Sequence, residues 1–173
     1  MSAPTVQNFP KPKSVTGGCL CGSIRYRVDF PDGHDFLQSS GSCQCTQCRR
    51  GTGSLFFTAH SIPLKSLTYL TATDALKKFY ATPGITRGFC AHCGSFLYWR
   101  DESSNTVDLA VGCVDPELLV GEGEEGVGFG FALANMAGAN IWCRNEIRGV
   151  TDGMVGRERG SRWAERSVDG VKM

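Results

Sequence analysis

At 173 residues the chain is long enough for one domain that buries about 70% of its unfolded surface, so it needs no disulfide staples to fold. With 41% hydrophobic and 20% charged residues it has the balance of a soluble globular protein, and no run approaches the roughly 20 apolar residues that cross a bilayer. A net charge of +1 without a lysine- or arginine-rich block excludes the electrostatic footprint of a nucleic-acid-binding protein.

Residues 1–14, MSAPTVQNFPKPKS, carry prolines at 4, 10 and 12 and lack the apolar stretch of a secretory signal; a loose arm on a cytoplasmic protein is expected. The main domain is expected over 15–148. Within it, GSIRYRVDF (22–30) alternates Ile24, Tyr26, Val28 and Phe30 with Arg25, Arg27 and Asp29, the period of a strand with one buried face. Further short strands are expected at 54–62, 67–71, 76–81, 96–100 and 106–114, rich in aromatic and β-branched residues and punctuated by Pro63, Pro83-Gly84, Gly94 and Ser103-Ser104-Asn105. Asp115 and Pro116 are the N-cap and first helical residue of one turn, DPELLV. GEGEEGVGFG (121–130) reads as a mobile loop, and its acids oppose a phosphate-cradling role. ANIWCRNEI (139–147) returns the chain to the sheet. From 149 to 173 a polar tail is expected, where Arg157, Arg159, Arg162 and Arg166 mix with Asp152, Glu158, Glu165 and Asp169 as a solvated surface. The spacing of strands and turns predicts a compact, mainly β domain with few short helices.

Nine cysteines in a chain without a secretory signal point to metal or redox chemistry rather than a disulfide framework. Seven fall into three groups: Cys19-x-Cys21, Cys43-x-Cys45-x-x-Cys48 and Cys90-x-x-Cys93. Close pairs aim two thiolates at one ion about 2.3 Å away, and Gly22 and Gly94 each follow a pair as a knuckle turn requires. Two pairs complete a four-sulfur site and leave the triplet over, although spacing alone does not decide which groups combine. The triplet either recruits a fourth ligand from His34, His60, His92, Cys113 or Cys143, or keeps its fourth position for water or substrate as catalytic zinc does.

The three motifs in order, G-x-C-x-C-G-x-I-x-Y (Gly17 to Tyr26), C-x-C-x-x-C-R (Cys43 to Arg49, with Gly53 and Phe56 following) and R-x-F-C-x-x-C-G-x-x-L (Arg87 to Leu97), resemble the family of glutathione-dependent formaldehyde-activating enzymes, which shares its domain with the centromere protein V relatives. The resemblance spans about residues 15 to 145. It implies a compact Mss4-like zinc-binding β-sheet domain with two zinc ions per chain: a structural one on Cys19, Cys21, Cys90 and Cys93, and a catalytic one on Cys43, Cys45 and Cys48. It also implies a carbon–sulfur lyase acting on a small-molecule thiol/aldehyde adduct such as S-(hydroxymethyl)glutathione. Members often carry histidine between the first two cysteines of the triplet, where this chain has Gln44. The alternatives are an enzyme of the same fold with another organic substrate, or a zinc-stabilised binding module without catalysis.

Other residues are read on their own chemistry. Arg49 and Arg50 are candidates for gripping a substrate carboxylate, or for pairing with the thiolates. Phe56 and Phe57 must face opposite sides of one strand. His34 and His60 are candidate bases but are more simply read as satisfied polar groups, and His92 as a knuckle spacer facing solvent. Cys113 and Cys143 read as buried free thiols, and Trp99 as a core aromatic able to stack on a ligand.

Overall fold

The alternation in GSIRYRVDF folds as its period dictates. In a computed structural model describing residues 4–121, 126–154, 160–166 and 171–172, Tyr26 and Val28 are buried and Arg27 and Asp29 exposed on strand β2 (Arg25–Asp29). It is the middle of a three-stranded antiparallel sheet, between β1 (Ser14–Gly18) and β5 (Leu67–Tyr69). The larger sheet has eight strands. Its antiparallel part runs β3 (Ser40–Cys43), β4 (Phe57–Pro63), β9 (Thr106–Ala110), β8 (Phe96–Asp101), β7 (Ile85–Cys90) and β6 (Leu76–Thr82). Beyond β3 come β10 (Ala139–Ile141) and β11 (Ser161–Arg162), both parallel additions. Helices α1 (Thr46–Thr52), α2 (Pro116–Leu119) and α3 (Gly130–Ala134) are short, so the protein is mainly β. No helix among the described residues is long and apolar enough to cross a membrane.

Two apolar clusters form. The larger joins Ile24, Tyr26, Val28, Ile62, Leu97, Val107 and Leu133; the smaller gathers Cys43, Cys48, Phe57 and Ala110, with Phe96, Trp99 and Trp142 against it.

Several elements differ from their sequence-based expectation. The strand expected from residue 54 starts at Phe57, because helix α1 runs from within the triplet to Thr52 and residues 53–56 are the turn that leaves it. That helix has no apolar period to announce it. It is closed by Cys45, whose Sγ accepts from the Cys48 N–H at 3.3 Å, and by Gly53 at φ +67°, whose N–H bonds the Arg49 carbonyl. Asp115 precedes α2 as expected but makes no side-chain cap. Its carboxylate instead takes both guanidinium branches of Arg25 at 2.7 and 2.5 Å and the Thr16 hydroxyl, and a bidentate charged pair outcompetes one backbone N–H.

The described part of segment 149–173 packs. Trp142 N–H bonds the Glu165 carbonyl, Cys143 N–H the Trp163 carbonyl and Trp163 N–H the Asn140 carbonyl, while Thr151 and Ala164 are buried. Arg162 pairs with Glu146, both largely buried. Backbone pairing of this kind leaves no hydrophobic period to read. Arg157, Glu158, Arg159 and Asp169 lie outside the described residues, as do residues 122–125 of the glycine-acid loop, whose base is closed by the Gly128 N–H on the Val120 carbonyl. In the N-terminal segment Thr5 bridges Asn8, and the Phe9 ring lies 5.2 Å from that of Phe131.

Candidate active site

The first cysteine set is made by two matching turns. Gly22 and Gly94, both at φ +74°, let their N–H groups fold back onto the Cys19 and Cys90 carbonyls at 3.0 and 2.8 Å. The turn after Cys90 joins β7 to β8, and the turn after Cys19 leads into β2; together they bring Cys19, Cys21, Cys90 and Cys93 within 4.8 Å of one another. Cys19 and Cys21 sulfurs are 3.6 Å apart, and Cys21 and Cys90 sulfurs 3.8 Å. Four sulfurs around a tetrahedral zinc at about 2.3 Å stand about 3.8 Å from each other, whereas a disulfide needs about 2.05 Å. The donor set therefore fits zinc. Hydrogen bonds from Ser95 hold the Cys93 thiol down near about 5, a thiolate ready to ligate, while burial pushes Cys90 up to about 11. His92 turns aside to Ser23, 3.0 Å away.

The second set sits where β3 runs into α1. Cys43 ends the strand, Cys45 caps the helix and Cys48 is in its first turn, which places the three sulfurs within 4.8 Å of one another. No fourth cysteine, histidine or carboxylate joins them among the described residues. The five sequence candidates for that position are engaged elsewhere. His34 and His60 meet each other, Nε2 to Nε2 at 2.9 Å, with His60 Nδ1 3.1 Å from the Leu133 carbonyl. Cys113 Sγ lies against the Phe96 carbonyl and Cys143 Sγ against the Asn140 carbonyl, while His92 stays in its knuckle.

Crowding decides the protonation of the triplet. Hydrogen bonds from Cys43 and Cys48 pull Cys45 down to about 2, and the same contacts push Cys43 up. One negative charge forms easily and the next only against a cation. Arg87 of β7 supplies a fixed one: it is 7% exposed, donates Nη2 to Gln47 on α1, and its Nε and Nη1 are buried without a partner. Its charge favours the Cys48 thiolate, although the Cys43 and Cys45 contacts and burial dominate that thiol and leave it at about 12. Three sulfurs beside a buried guanidinium are an anionic donor set held in place, and they fit a thiolate-preferring metal such as zinc.

Gln44, between two of these cysteines, is fully buried and faces away from them. Its Oε1 accepts from Thr151 Oγ1 at 2.8 Å and Arg49 Nη2 at 3.2 Å, and its carbonyl from Asn145 Nδ2. Arg49, expected to reach a substrate, spends Nε on the Leu55 carbonyl and Nη2 on Gln44 and the Asn145 carbonyl, all of them protein acceptors. Arg50 is exposed. Neither arginine lines the cavity that opens beside the triplet.

That cavity holds about 730 Å³. Cys43 and Cys45 line it, but no member of the four-cysteine set does. Its walls are Phe57, Trp99, Ile141 and Trp142, and its polar lining includes Gln47, Arg87, Asp108 and Asn145. Phe57, the first residue of β4, faces the cavity and Phe56, in the bend before the strand, does not. Trp142 is at φ +60°, a conformation that costs a bulky residue about 1–3 kcal/mol, and its N–H and carbonyl are tied to the Glu165 carbonyl and the Asn145 N–H. Gln47, Arg87, Asp108 and Trp142 were not singled out from the sequence. Arg87 stands in the R-x-F-C motif and was the one with a signal; Asp108 looks like the solvent side of an alternating strand, and only the covered second face of β9 makes it a lining residue.

The family model described as "Glutathione-dependent formaldehyde-activating enzyme" matches residues 14–124, which contain all seven clustered cysteines and Arg87. A crystal structure of a Rhodobacter sphaeroides protein, a Northeast Structural Genomics target, is 22% identical, covering 58% of this chain and 88% of that chain with a TM-score of 0.48. The Ile141, Trp142 and Asn145 wall lies beyond the matched residues.

Proposed function

This chain belongs to the glutathione-dependent formaldehyde-activating enzyme family, and from that premise we propose that it is a zinc-dependent carbon–sulfur lyase acting on a thiol/aldehyde adduct such as S-(hydroxymethyl)glutathione. The observation that carries the reading is the asymmetry of the two cysteine sets: four sulfurs closed on themselves, and three of which two, Cys43 and Cys45, open onto a cavity. Cys19, Cys21, Cys90 and Cys93 would hold a structural zinc, and Cys43, Cys45 and Cys48 a second zinc. When bound at the triplet, zinc supplies a Lewis acid able to favour a thiolate or a developing alkoxide.

The chain's own residues do the rest. Arg87 lends positive charge to the sulfurs, so that a substrate sulfur is also favoured as the anion beside it. Gln44 locks the triplet loop to Thr151 and Arg49, which keeps the three sulfurs aimed at one point. Phe57, Trp99 and Trp142 exclude water from the reacting pair. In the synthetic direction the thiol sulfur bonds the formaldehyde carbon and the thiol proton ends on the former carbonyl oxygen; the lyase direction is the reverse.

Formaldehyde and glutathione exchange, followed by NMR line-broadening or saturation transfer with zinc-replete protein, tests the assignment. Adduct exchange well above the uncatalysed rate is expected. Exchange at background, with both metals bound, would sink it and leave the second reading: a larger organic substrate on the same centre, which the cavity's size and aromatic walls favour.

A further inference from the structure

The cavity floor is a row of side chains crossing four strands. Arg87 of β7 stands opposite Trp99 of β8, Trp99 opposite Asp108 of β9, and Asp108 opposite Ser61 of β4, and all four line the cavity. Asp108 is half-buried. Burial holds its carboxyl above the ordinary aspartate range, and the Ser61 hydroxyl pulls the other way. Arg87 and Arg166 also line the cavity, but Arg87 reaches toward Gln47 and the triplet rather than across the indole. Asp101, two residues beyond Trp99 on the same face of β8, adds a second carboxylate at this end. A carboxyl beside an indole face is suited to a cation, which both the charge and the ring quadrupole attract.

The register also gives the distance. Cys43 pairs with Phe57 and Asp108 with Ser61, so the two ends of the site are four residues apart along the strands and two strands apart across the sheet, about 16 Å between backbones at roughly 3.3 Å per residue and 4.8 Å per strand. A carboxyl that far away cannot pass a proton to an atom held at the sulfurs, which requires contact at about 3 Å or one bridging water. It is placed to hold the other end of an extended substrate.

We propose that Asp108, flanked by Trp99 and Ser61, is a subsite for a primary ammonium group on a substrate whose sulfur is held at Cys43, Cys45 and Cys48, and so determines specificity for amino-bearing thiols. This rests on the reading of the triplet as the thiol-holding centre. The γ-glutamyl ammonium of glutathione lies on the order of 10 Å from its sulfur when extended, and the aspartate side chain and the sulfur–metal bonds cover the remaining gap.

Isothermal titration of the zinc-loaded full chain with glutathione and with N-acetylglutathione, which lacks the ammonium charge, tests this. Glutathione should bind about tenfold or more tightly than its acetylated form. D108N should erase that difference while keeping both metals and the affinity for N-acetylglutathione; D108S serves if D108N fails to fold. Equal binding of both thiols by the native protein, or discrimination that survives D108N, overturns the subsite and leaves the thiol centre standing. If neither thiol binds to protein carrying two zincs, the thiol centre itself is wrong and the subsite falls with it.

Discussion

The two cysteine sets are made of the same donor and differ in what surrounds them. Cys19, Cys21, Cys90 and Cys93 come from two glycine-closed knuckles that face each other, with Cys90 fully buried and each turn tied to its own strands. Cys43, Cys45 and Cys48 come from one strand-to-helix junction, and among the described residues no second loop brings a further cysteine, histidine or carboxylate to them. The first set brings a turn next to the small sheet and a turn of the large one to a single point. The second presents two of its three sulfurs to a cavity that a buried arginine, Arg87, also lines. Closure therefore depends on how many separate chain segments contribute sulfur, and not on the sulfurs themselves.

The largest effect that could break this comparison is loss of a knuckle ligand. Cys19→Ser should cost several kcal/mol, since binding energy at a structural zinc is folding energy; the chain is expected to lose its cooperative melt by circular dichroism and to retain little metal. Cys48→Ser should keep the fold, bind one zinc instead of two by elemental analysis, and lose adduct exchange. If the two variants unfold alike, the division between closed and open sets is wrong.

Gln44 sharpens the comparison from the open side. Gln44→Ala removes the acceptor for Thr151 and Arg49 inside a sealed network, and should lower stability by about 1–3 kcal/mol in denaturant melts while loosening zinc at the triplet. Chelator competition should show zinc release from one site accelerated and from the knuckle site unchanged.

Acid has to be controlled in these tests because the fold carries its own titration. Burial and the neighbouring His34 hold His60 down near about 4, and burial lowers His34 as well. The unfolded chain takes up protons at an ordinary histidine pKa near 6.5 and the folded one does not. Stability should thus fall as pH drops from about 6.5 toward 4, by up to about 3 kcal/mol from this histidine. Denaturant midpoints between pH 8 and 4.5 would measure the slope, and the double variant His34→Leu, His60→Leu should flatten it.

The smallest effect belongs to Arg25 and Asp115, partly exposed and near the closed set. The guanidinium, and then the Thr16 hydroxyl, hold Asp115 below its usual range, so the pair's contribution is present above about pH 4 and lost as pH falls through the lower, folded value. Asp115→Asn should cost about 1 kcal/mol or less at pH 7, with the difference from the native protein vanishing in acid.

The residues most legible in the sequence are those whose structure is local. Tyr26 and Val28 show their buried face by alternation, and Gly22 and Gly94 announce their turns because only a left-handed residue closes a knuckle. Helix α1 was hidden because it is held by a cysteine cap and a glycine stop rather than an apolar stripe. The segment after Gly149 read as polar, yet Thr151 is buried because Gln44 takes its hydroxyl, a partner 107 positions away. Arg49 carried the right chemistry for a substrate contact, but the carbonyls of Leu55 and Asn145 claim it.

By itself, then, the sequence determined the donors: seven cysteines whose spacings and turn residues make thiolate knuckles, and strands whose period marks the buried face. Only the tertiary structure decided that the triplet stays three-sulfured and that Arg87 and Asp108 line the cavity beside it. Those facts depend on strands brought side by side from distant parts of the chain, and no short-range pattern records which side chain a distant strand will set against its neighbour.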